Sequence, residues 1–232
     1  MGPVGTNYYY SYDQIGNHLA EGVTYNNVNQ PSNMDYDVNG NLTDDGTYSY
    51  SYDAENRLKQ IHNSYSGYEF LYDYSGKCYQ RNILYFDSDE NSVQSTPEEY
   101  YVYDGTKKIM VGFPTSSSQE KYVWQPESSG DNDVILWDND GVYSTDCNKN
   151  VIAYNIIPQW PGQSGSTSYS YTPFGELLAN SSSARRFMFS SEERLGAYEL
   201  YLYPYRVYHP KLKRWITRDI IEEQGGVNLY CF

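Results

Sequence analysis

The sequence predicts an all-β protein whose antiparallel hairpins form one continuous strip. Tyrosine accounts for 29 of the 232 residues, and aromatic residues make up 17% of the chain. Because Tyr favours strands and buries its ring while keeping its hydroxyl in water, this composition indicates a half-exposed β structure. A short phrase, Tyr-Asp-x-x-Gly-Asn, also recurs along the chain. Repetition of a unit about one hairpin long predicts that neighbouring units, or curling of the strip, bury the aromatic face.

The recurring phrase is typical of a tight turn between two strands. Tyr alternates with Ser before it, as in residues 48–52, which is the period-2 pattern of a strand with one aromatic face. Asp is expected to accept backbone N–H bonds, and Gly or Asn three residues later to take the left-handed conformation that closes the turn. The predicted repeat turns contain Asp13 and Gly16, Asp37 and Gly40, Asp53 and Asn56, and Asp73 and Gly76, with looser copies at 103–105, 137–141 and 171–175.

Regularity weakens in the middle of the chain. Residues 87–99, 114–132 and 158–168 are rich in Ser, Pro, Gly and acidic residues and are predicted to be polar loops, with a strand at residues 121–124. Residues 191–195 are the one segment expected to form a turn of helix. Strand phrases continue on both sides of each loop, so we expect one continuous domain, with a strip at residues 1–168 and a cap at 169–232.

The C-terminal segment, residues 203–232, differs from the repeats because aromatic and Arg residues are concentrated in it. Its Arg side chains are spaced to reach acidic or aromatic partners, so a strand–turn–strand cap folded against the strip is predicted. The basic residues of the chain cluster here and at 185–186, where an acidic array is the expected partner. The predicted cap residues are Tyr205, Arg206, Tyr208, Arg214, Trp215, Arg218, Asp219, Gly225, Gly226, Asn228 and Tyr230.

Charge and composition exclude several classes of function. The net charge of −14 argues against nucleic acid and anionic membrane surfaces as partners, because both require basic patches. No apolar run is long enough to span a membrane, and the N-terminus has no signal-peptide pattern. Cys78, Cys147 and Cys231 have no metal-ligand spacing, so free thiols, or at most one disulfide, and no metal or other cofactor are expected.

These repeats resemble the YD repeats of the Rhs family, which also includes C components of insecticidal toxin complexes and the teneurins. The C-terminal segment resembles the Rhs repeat-associated core. That resemblance is carried by Tyr203-Pro-Tyr205-Arg206-Val-Tyr208-His209-Pro210, Arg214-Trp215, Arg218-Asp219, Gly225-Gly226 and Asn228-Leu229-Tyr230, with Tyr171-Thr-Pro173-Phe174-Gly175 upstream. It covers nearly the whole chain.

The resemblance implies a strip of antiparallel sheet that spirals into a hollow shell or solenoid, with the core section turned inward as a plug. In the family the shell encloses a toxic domain, so it implies a toxin or effector partner in a longer form and a secreted or cell-surface location. Several members are aspartyl autoproteases, a chemistry that needs two carboxylates sharing a proton. Asp219 matches the first acid, and the second is expected beyond residue 232. Ile220, Glu222, Lys213 and His209 depart from the family pattern.

The leading interpretation is therefore a non-catalytic structural shell segment, with three alternatives left open. Asp219 is either a catalytic carboxylate, as a remnant of the autoprotease, or the partner of an Arg such as Arg214 or Arg218. Exposed rings of Trp124, Trp137 and Trp160 would suit a surface that recognises glycans or proteins, although stacked aromatics also stabilise sheets. Residues 35–41 open like a calcium loop, but Gly46 stands where that loop needs Glu. The exposed edges of an open strip predict self-association.

Overall fold

The computed structural model of the chain describes residues 8–19, 22–86, 93–126, 134–178 and 184–232. Within these ranges the named strands form two antiparallel sheets, one of 13 strands in chain order and one of 4. The large sheet, called the strip below, contains β1 (Asp35–Tyr36), β2 (Leu42–Asp44), β3 (Ser49–Tyr52), β4 (Leu58–His62), β5 (Ser66–Tyr72), β6 (Cys78–Phe86), β7 (Val93–Asp104), β8 (Lys107–Gly112), β9 (Gln119–Trp124), β10 (Ile135–Asp138), β11 (Gly141–Thr145), β12 (Val151–Ile156) and β13 (Ser166–Ser168). The small sheet, called the core sheet, contains β14 (Glu193–Leu195), β15 (Leu200–Leu202), β16 (Val207–His209) and β17 (Arg214–Trp215). The all-β, antiparallel prediction is confirmed.

Each strand of the strip pairs with the strands before and after it in the chain, so the sheet is an uninterrupted meander. Alternation decides which side chains face inward: in β11, Gly141 and Tyr143 are buried while Val142 between them is exposed. Two shorter hairpins precede β1, where single bridges pair Tyr12 with His18 and Tyr25 with Pro31. The repeat therefore starts before the first regular strand.

The strip curls around the core sheet. Residues of β14, β15 and β16 pack with β2 to β5 in one apolar cluster, which includes Leu42, Ile61 and Leu200. Residues of β15, β16 and β17 also pack with β7 to β12 in a second cluster, which includes Val111, Tyr154 and Tyr208. The core sheet thus buries its two sides against the two halves of the strip. This confirms that the C-terminal section turns inward.

Three predicted elements differ from the structure. The end of the expected polar loop 158–168 is strand, because β13 (Ser166–Ser168) pairs with β12. Part of the expected polar loop 87–99 is strand, because β7 starts at Val93 and pairs with β6 from Phe86 to Gln80. Its pairing with β8 begins only at Tyr100, so Pro97 lies where β7 has one neighbour and its missing N–H costs no ladder bond. The expected helical turn at 191–195 is also wrong. Short 3-10 helices occupy Phe189–Ser191 and Glu222–Gln224 instead.

Two of the predicted loops, 87–99 and 114–132, lie only partly within the described ranges. Residues 87–92 and 127–132 of the predicted loops lie outside them. The strand expected at residues 121–124 begins two residues earlier, as β9. No helix found in the described part of the chain is long and apolar enough to cross a membrane.

Candidate functional site

The repeat turns are five-residue loops built around one carboxylate. In the loop that begins at Asp37, Oδ1 accepts the backbone N–H groups of Asn39 at 2.9 Å and Asn41 at 2.8 Å. The Asn41 side chain donates to Oδ2 at 2.9 Å, and Gly40 has a φ of +83°. The loops at Asp13, Asp53 and Asp73 repeat the two backbone bonds, with Gly16, Asn56 and Gly76 at positive φ. The four loops therefore share one hydrogen-bond pattern around the Asp carboxylate.

Two further copies of this loop escaped sequence reasoning. Asn26 accepts the backbone N–H groups of Val28 and Gln30, both at 3.0 Å, and Asn29 has a φ of +65°. Asp146 does the same for residues 148 and 150, both at 2.9 Å, with Lys149 at +66°. An amide oxygen replaces the carboxylate in the first loop, and a residue other than Gly takes the left-handed position in both. Both loops share with the repeat turns the three-residue spacing from the acceptor to the left-handed residue, and this spacing would have predicted them.

The Tyr of the Tyr-Asp phrase sets the register between successive turns. Tyr52 donates its hydroxyl to the carbonyl of Leu42 at 2.8 Å, and Tyr72 donates to Leu58 at 2.7 Å. Leu42 and Leu58 are in each case the first residue after the preceding repeat turn. Tyr171 makes the same contact with Val151 at 2.7 Å. In these three repeats the Tyr therefore joins the new turn to the strand that leaves the previous one.

Asparagine side chains link neighbouring turns and reach the C-terminal segment. Asn17 donates to Asn29 at 3.0 Å, and Asn41 donates to Asn56 at 2.8 Å. Asn228 extends the first pair by donating to Asn17 at 2.9 Å. The predicted cap residue Asn228 thus contacts the N-terminal turns directly.

Arg206 and Asp219 form an ion pair inside the C-terminal segment. Arg206 Nη1 lies 3.0 Å from Asp219 Oδ2, and the Arg206 guanidinium lies 4.1 Å from the centre of the Trp215 ring. Asp219 also accepts the Ile221 N–H at 3.1 Å. Asp219 is thus paired with an Arg, as the alternative to catalysis expected, but the partner is Arg206 and neither Arg214 nor Arg218, because the loop between β15 and β16 brings Arg206 to it. As a catalytic candidate, Asp219 would have to act from within this ion pair.

Arg214 and Tyr230 attach the segment to the start of the strip. Arg214 is buried, donates to the backbone carbonyl of Asn29, and lies 4.8 Å from the Tyr230 ring centre. The Tyr230 hydroxyl donates to the Gly40 carbonyl at 2.8 Å and accepts from Gln30 at 2.9 Å. This part of the C-terminal segment therefore holds two of the N-terminal turns.

The other predicted cap residues differ in burial. Tyr208 is fully buried and donates its hydroxyl to the Phe174 carbonyl at 2.9 Å. Tyr205 is 73% exposed, and the backbone of Gly225 and Gly226 lies at the surface. Arg218 is exposed as well, although its aliphatic carbons approach the Cα of Gly40.

A buried cluster of charged side chains lies where β14 meets the strip. Glu193 contacts Lys108 of β8 through one oxygen and Arg186 through the other, the latter at 2.9 Å. Arg186 also reaches Glu99 of β7 at 2.7 Å, and Glu99 in turn binds Arg81 of β6 at 3.0 Å. Glu120 and Glu98 lie at the more exposed rim of the cluster. These contacts, called the ion cluster below, were not predicted.

The ion cluster shifts the acidity of its members. Burial raises the pKa of Glu193, but Lys108, Arg186 and Arg81 outweigh it and bring the pKa to about 2. Burial likewise opposes ionisation of Glu99, and hydrogen bonds from Arg186 hold its pKa below the usual range. Burial lowers the pKa of Lys108, against the attraction of Glu193. The carboxylates therefore stay charged at neutral pH because the cations surround them.

The three candidate Trp residues do not share one environment. Trp124 packs against Phe187 with ring centres 4.9 Å apart and donates to the Lys108 carbonyl at 2.9 Å, so the expectation of an exposed ring was wrong for it. Trp137 on β10 is 48% exposed, and Trp160, in the segment between β12 and β13, is 63% exposed. Their role in recognition stays a prediction.

The structure also places the thiols and the acidic groups. Cys78, Cys147 and Cys231 are free. Burial raises the pKa of the Cys78 thiol to about 11, so this thiol is protonated at neutral pH. Across the described residues, no group of three or more His, Cys, Asp and Glu side chains is arranged to hold a metal ion.

Solved toxin-complex structures share this fold. The chain matches crystal structures of TcdB2–TccC3–Cdc42 with a TM-score of 0.65 and 18% identity, and of TcdB2–TccC3 with a TM-score of 0.63 and 18% identity. The Photorhabdus luminescens Tc holotoxin pore matches with a TM-score of 0.59 and 16% identity. Each alignment covers 96% of this chain, but only 12%, 13% and 12% of the matched chains, respectively.

The sequence itself finds no counterpart among known families. No family model matches the chain, and no curated protein matches it significantly. At the identities of the solved structures, the similarity is one of fold. The chain therefore has the β-strip architecture found in Tc toxin structures, over about an eighth of the length of those chains.

Proposed function

We propose that the chain is a non-catalytic structural segment of a shell, in which a YD-repeat strip is closed by an Rhs-type core section. The observation that carries this proposal is the position of the core sheet inside the curled strip. Backbone hydrogen bonds connect residues that flank the core sheet to strands near both ends of the strip. Leu42 of β2 donates to the Ile216 carbonyl at 2.9 Å, and Val151 of β12 donates to the Met188 carbonyl at 3.0 Å. In such an arrangement the strip forms the wall of the shell, and the core section of the same chain closes it.

The fold likeness to toxin-complex structures supports the same proposal and suggests its partners. Over 96% of its length the chain follows the TcdB2–TccC3–Cdc42 structure. In a longer form, the partner would be a toxin or effector domain that the shell encloses, at a secreted or cell-surface location. β1 and β13 are the outermost of the 13 strands that the described residues form in the strip, and in a larger shell they would lie next to further strands or to another copy of the chain.

The absence of catalysis is tested by intact mass spectrometry. Wild-type protein and Asp219→Asn are incubated for days between pH 4 and pH 8, and we expect the full-length mass to persist equally in both. The Arg206 ion pair is the reason, because a protease dyad requires two carboxylates that share a proton. Time-dependent cleavage of the wild type that Asp219→Asn abolishes would show that the chain is an autoprotease.

The structural role is tested with a matched pair of Arg variants. Arg206→Ala removes the Asp219 ion pair and the contact with Trp215, while Arg218→Ala changes an exposed side chain. We expect Arg206→Ala to lose about 2 kcal/mol of stability and to scatter X-rays as a larger particle. Arg218→Ala should remain within about 0.5 kcal/mol of the wild type. If both variants melted at the same temperature, the contacts of the core section would not be what stabilises the closed shell.

One observation favours recognition as a second candidate function. Trp137 faces Val123 on one side and Val142 on the other across the outer surface of the strip. These three side chains are 39% to 48% exposed and form an apolar row. A glycan array probed with wild-type protein and Trp137→Ala tests the sugar form of this function. Signals that Trp137→Ala abolishes would support it, and a blank array at high protein concentration would refute it.

A further inference from the structure

A cavity of about 420 Å³ lies between the strip and the core sheet. One wall comes from the turns and strands between β4 and β9, and the other comes from β14, the loop between β15 and β16, and residues 217 and 220. Pockets that bind small molecules have volumes of about 300–1,000 Å³. The cavity therefore has room for a drug-sized molecule but not for a folded domain. The proposed shell function does not use it.

The walls of the cavity are aromatic. Tyr72, Tyr103 and Trp124 contribute to the side formed by the strip, and Tyr203 contributes to the side formed by the core sheet. Binding pockets are typically apolar and aromatic with a few polar groups that orient the ligand. A flat aromatic ring can bury its faces against such walls.

Cationic side chains surround this aromatic surface, although the chain as a whole has a charge of −14. Lys77 lies 5.9 Å from the ring centre of Tyr103, and Lys107 lies 5.2 Å from that of Trp124. In the described part of the chain, no carboxylate lies within 4.0 Å of the Lys77 ammonium. The Ser75 hydroxyl and, from beyond that distance, the charge of Lys77 lower the pKa of Asp73, so Asp73 is the carboxylate with which a bound anion would compete for Lys77.

The remaining charges in the lining are internally balanced. Arg57 binds Asp53 and Glu55, and Arg206 binds Asp219. Lys108 is paired with Glu193 in the ion cluster. An entering anion therefore does not have to break an existing ion pair to reach Lys77.

Glu192 in the lining does not oppose an anion at neutral pH. Burial raises its pKa to about 8, with Glu193 adding to the shift and Lys107 and Lys149 opposing it, while the Tyr203 phenol lies nearby. Below pH 8 the carboxyl is mostly protonated and uncharged. Above that pH it adds a negative charge to the cavity.

From these contacts we propose that the cavity is a binding site for a small aromatic carboxylic acid. The ring lies among Tyr72, Tyr103 and Trp124, and the carboxylate faces Lys77 near the mouth formed by the repeat turns. Both charge and shape determine which ligand binds, because a neutral aromatic molecule fills the same space but forms no ion pair with Lys77.

The test is isothermal titration calorimetry of the wild-type chain with 2-naphthoate and with its uncharged analogue 2-naphthamide. We expect 2-naphthoate to bind at least tenfold more tightly than the amide. Lys77→Gln should weaken 2-naphthoate about tenfold and leave the amide unchanged, while Lys77→Arg should retain binding. Lys121→Gln, which removes a lysine exposed on β9 outside the cavity, is the matched control and should bind as the wild type does.

Three results would overturn the proposal: no heat from 2-naphthoate up to 5 mM, equal affinity for acid and amide, or equal affinity of Lys77→Gln and Lys121→Gln. Thermal melts of each variant are recorded first. If Lys77→Gln is unfolded, the comparison rests on Lys77→Arg and on the acid–amide ratio of the wild type. Glu192→Gln adds an independent readout, because it should abolish the loss of 2-naphthoate affinity between pH 7 and pH 9.

Discussion

Removing the Glu193 carboxylate should cost far more stability than removing a carboxylate at the rim of the same ion cluster. The side chains of Glu193 and Lys108 are only 6% and 7% exposed, whereas that of Glu98 is 33% exposed. Glu193→Gln leaves Lys108 and part of Arg186 buried without their countercharge, which typically costs about 3–5 kcal/mol. Glu98→Gln removes an ion pair accessible to water, which contributes about 0–1 kcal/mol.

The acidity of Glu193 gives a similar magnitude. Lowering its pKa from 4.5 to about 2 corresponds to about 3 kcal/mol of stability. Because the folded-state pKa is depressed, this contribution is present above pH 4.5 and is lost as the pH falls towards 2. The difference between wild type and Glu193→Gln should therefore be constant near neutral pH and shrink in acid.

Urea unfolding, followed by Trp fluorescence, measures both variants. We expect the midpoint of Glu193→Gln to fall by about 1–2 M and that of Glu98→Gln to change by less than about 0.5 M. The double variant Lys108→Met with Glu193→Leu should recover most of the loss, because apolar residues of similar size replace the buried pair. If Glu193→Gln and Glu98→Gln differ by less than about 1 kcal/mol, burial does not control the energetics of this cluster.

Three further predictions concern the repeat turns and the cavity. Gly40→Ala should cost about 2–4 kcal/mol, because its Cβ would lie 2.6 Å from the hydroxyl oxygen of the buried Tyr230 side chain. Gly46→Ala, also at positive φ but with open space around it, should cost about 1 kcal/mol, and urea unfolding compares the two variants. Tyr72→Phe should cost about 1 kcal/mol in the same assay by leaving the Leu58 carbonyl without its donor, and Tyr74→Phe, on a fully exposed ring, should cost nothing. Since the folded-state pKa of Glu192 is raised to about 8, its ionisation costs stability as the pH rises from 4.5 through 8. The free energy of unfolding of Glu192→Gln should therefore exceed that of the wild type by about 2–4 kcal/mol at pH 8.5 and equal it at pH 4.

The repeat turns were predictable from sequence because their chemistry is local. Asp37 and its two backbone donors lie within five residues, so the phrase alone specifies the loop. The loops at Asn26 and Asp146 depart from the phrase, because the first begins with Asn where the phrase has Asp and the second has Lys149 where the phrase has Gly or Asn. The physical requirement is only an oxygen acceptor at the first position and a residue that tolerates positive φ at the fourth, which Lys149 satisfies.

The ion cluster could not be predicted because the chain distances are long. Lys108 and Glu193 are 85 residues apart, and Glu99 lies in a stretch whose polarity suggested a loop. Only the curl of the strip around the core sheet brings them together. The expectation that basic residues near the end meet an acidic array holds for Arg186, which binds Glu99 and Glu120. It fails for Arg206, whose partner lies in its own segment.

The curl of the strip is best explained by the contacts that its two ends make with the C-terminal segment and with the residues just before the core sheet. A meander of hairpins pairs only with its sequence neighbours, so nothing in that pairing fixes how far the sheet bends. The missing long-range constraints come from Tyr230 of the C-terminal segment, which holds the Gly40 turn, and from Met188, which precedes β14 and accepts the N–H of Val151 near the other end of the strip. Weakening these contacts should therefore open the strip before its hairpins separate. Hydrogen exchange in Arg206→Ala should be faster around Leu42 than within the paired strands β5 and β6.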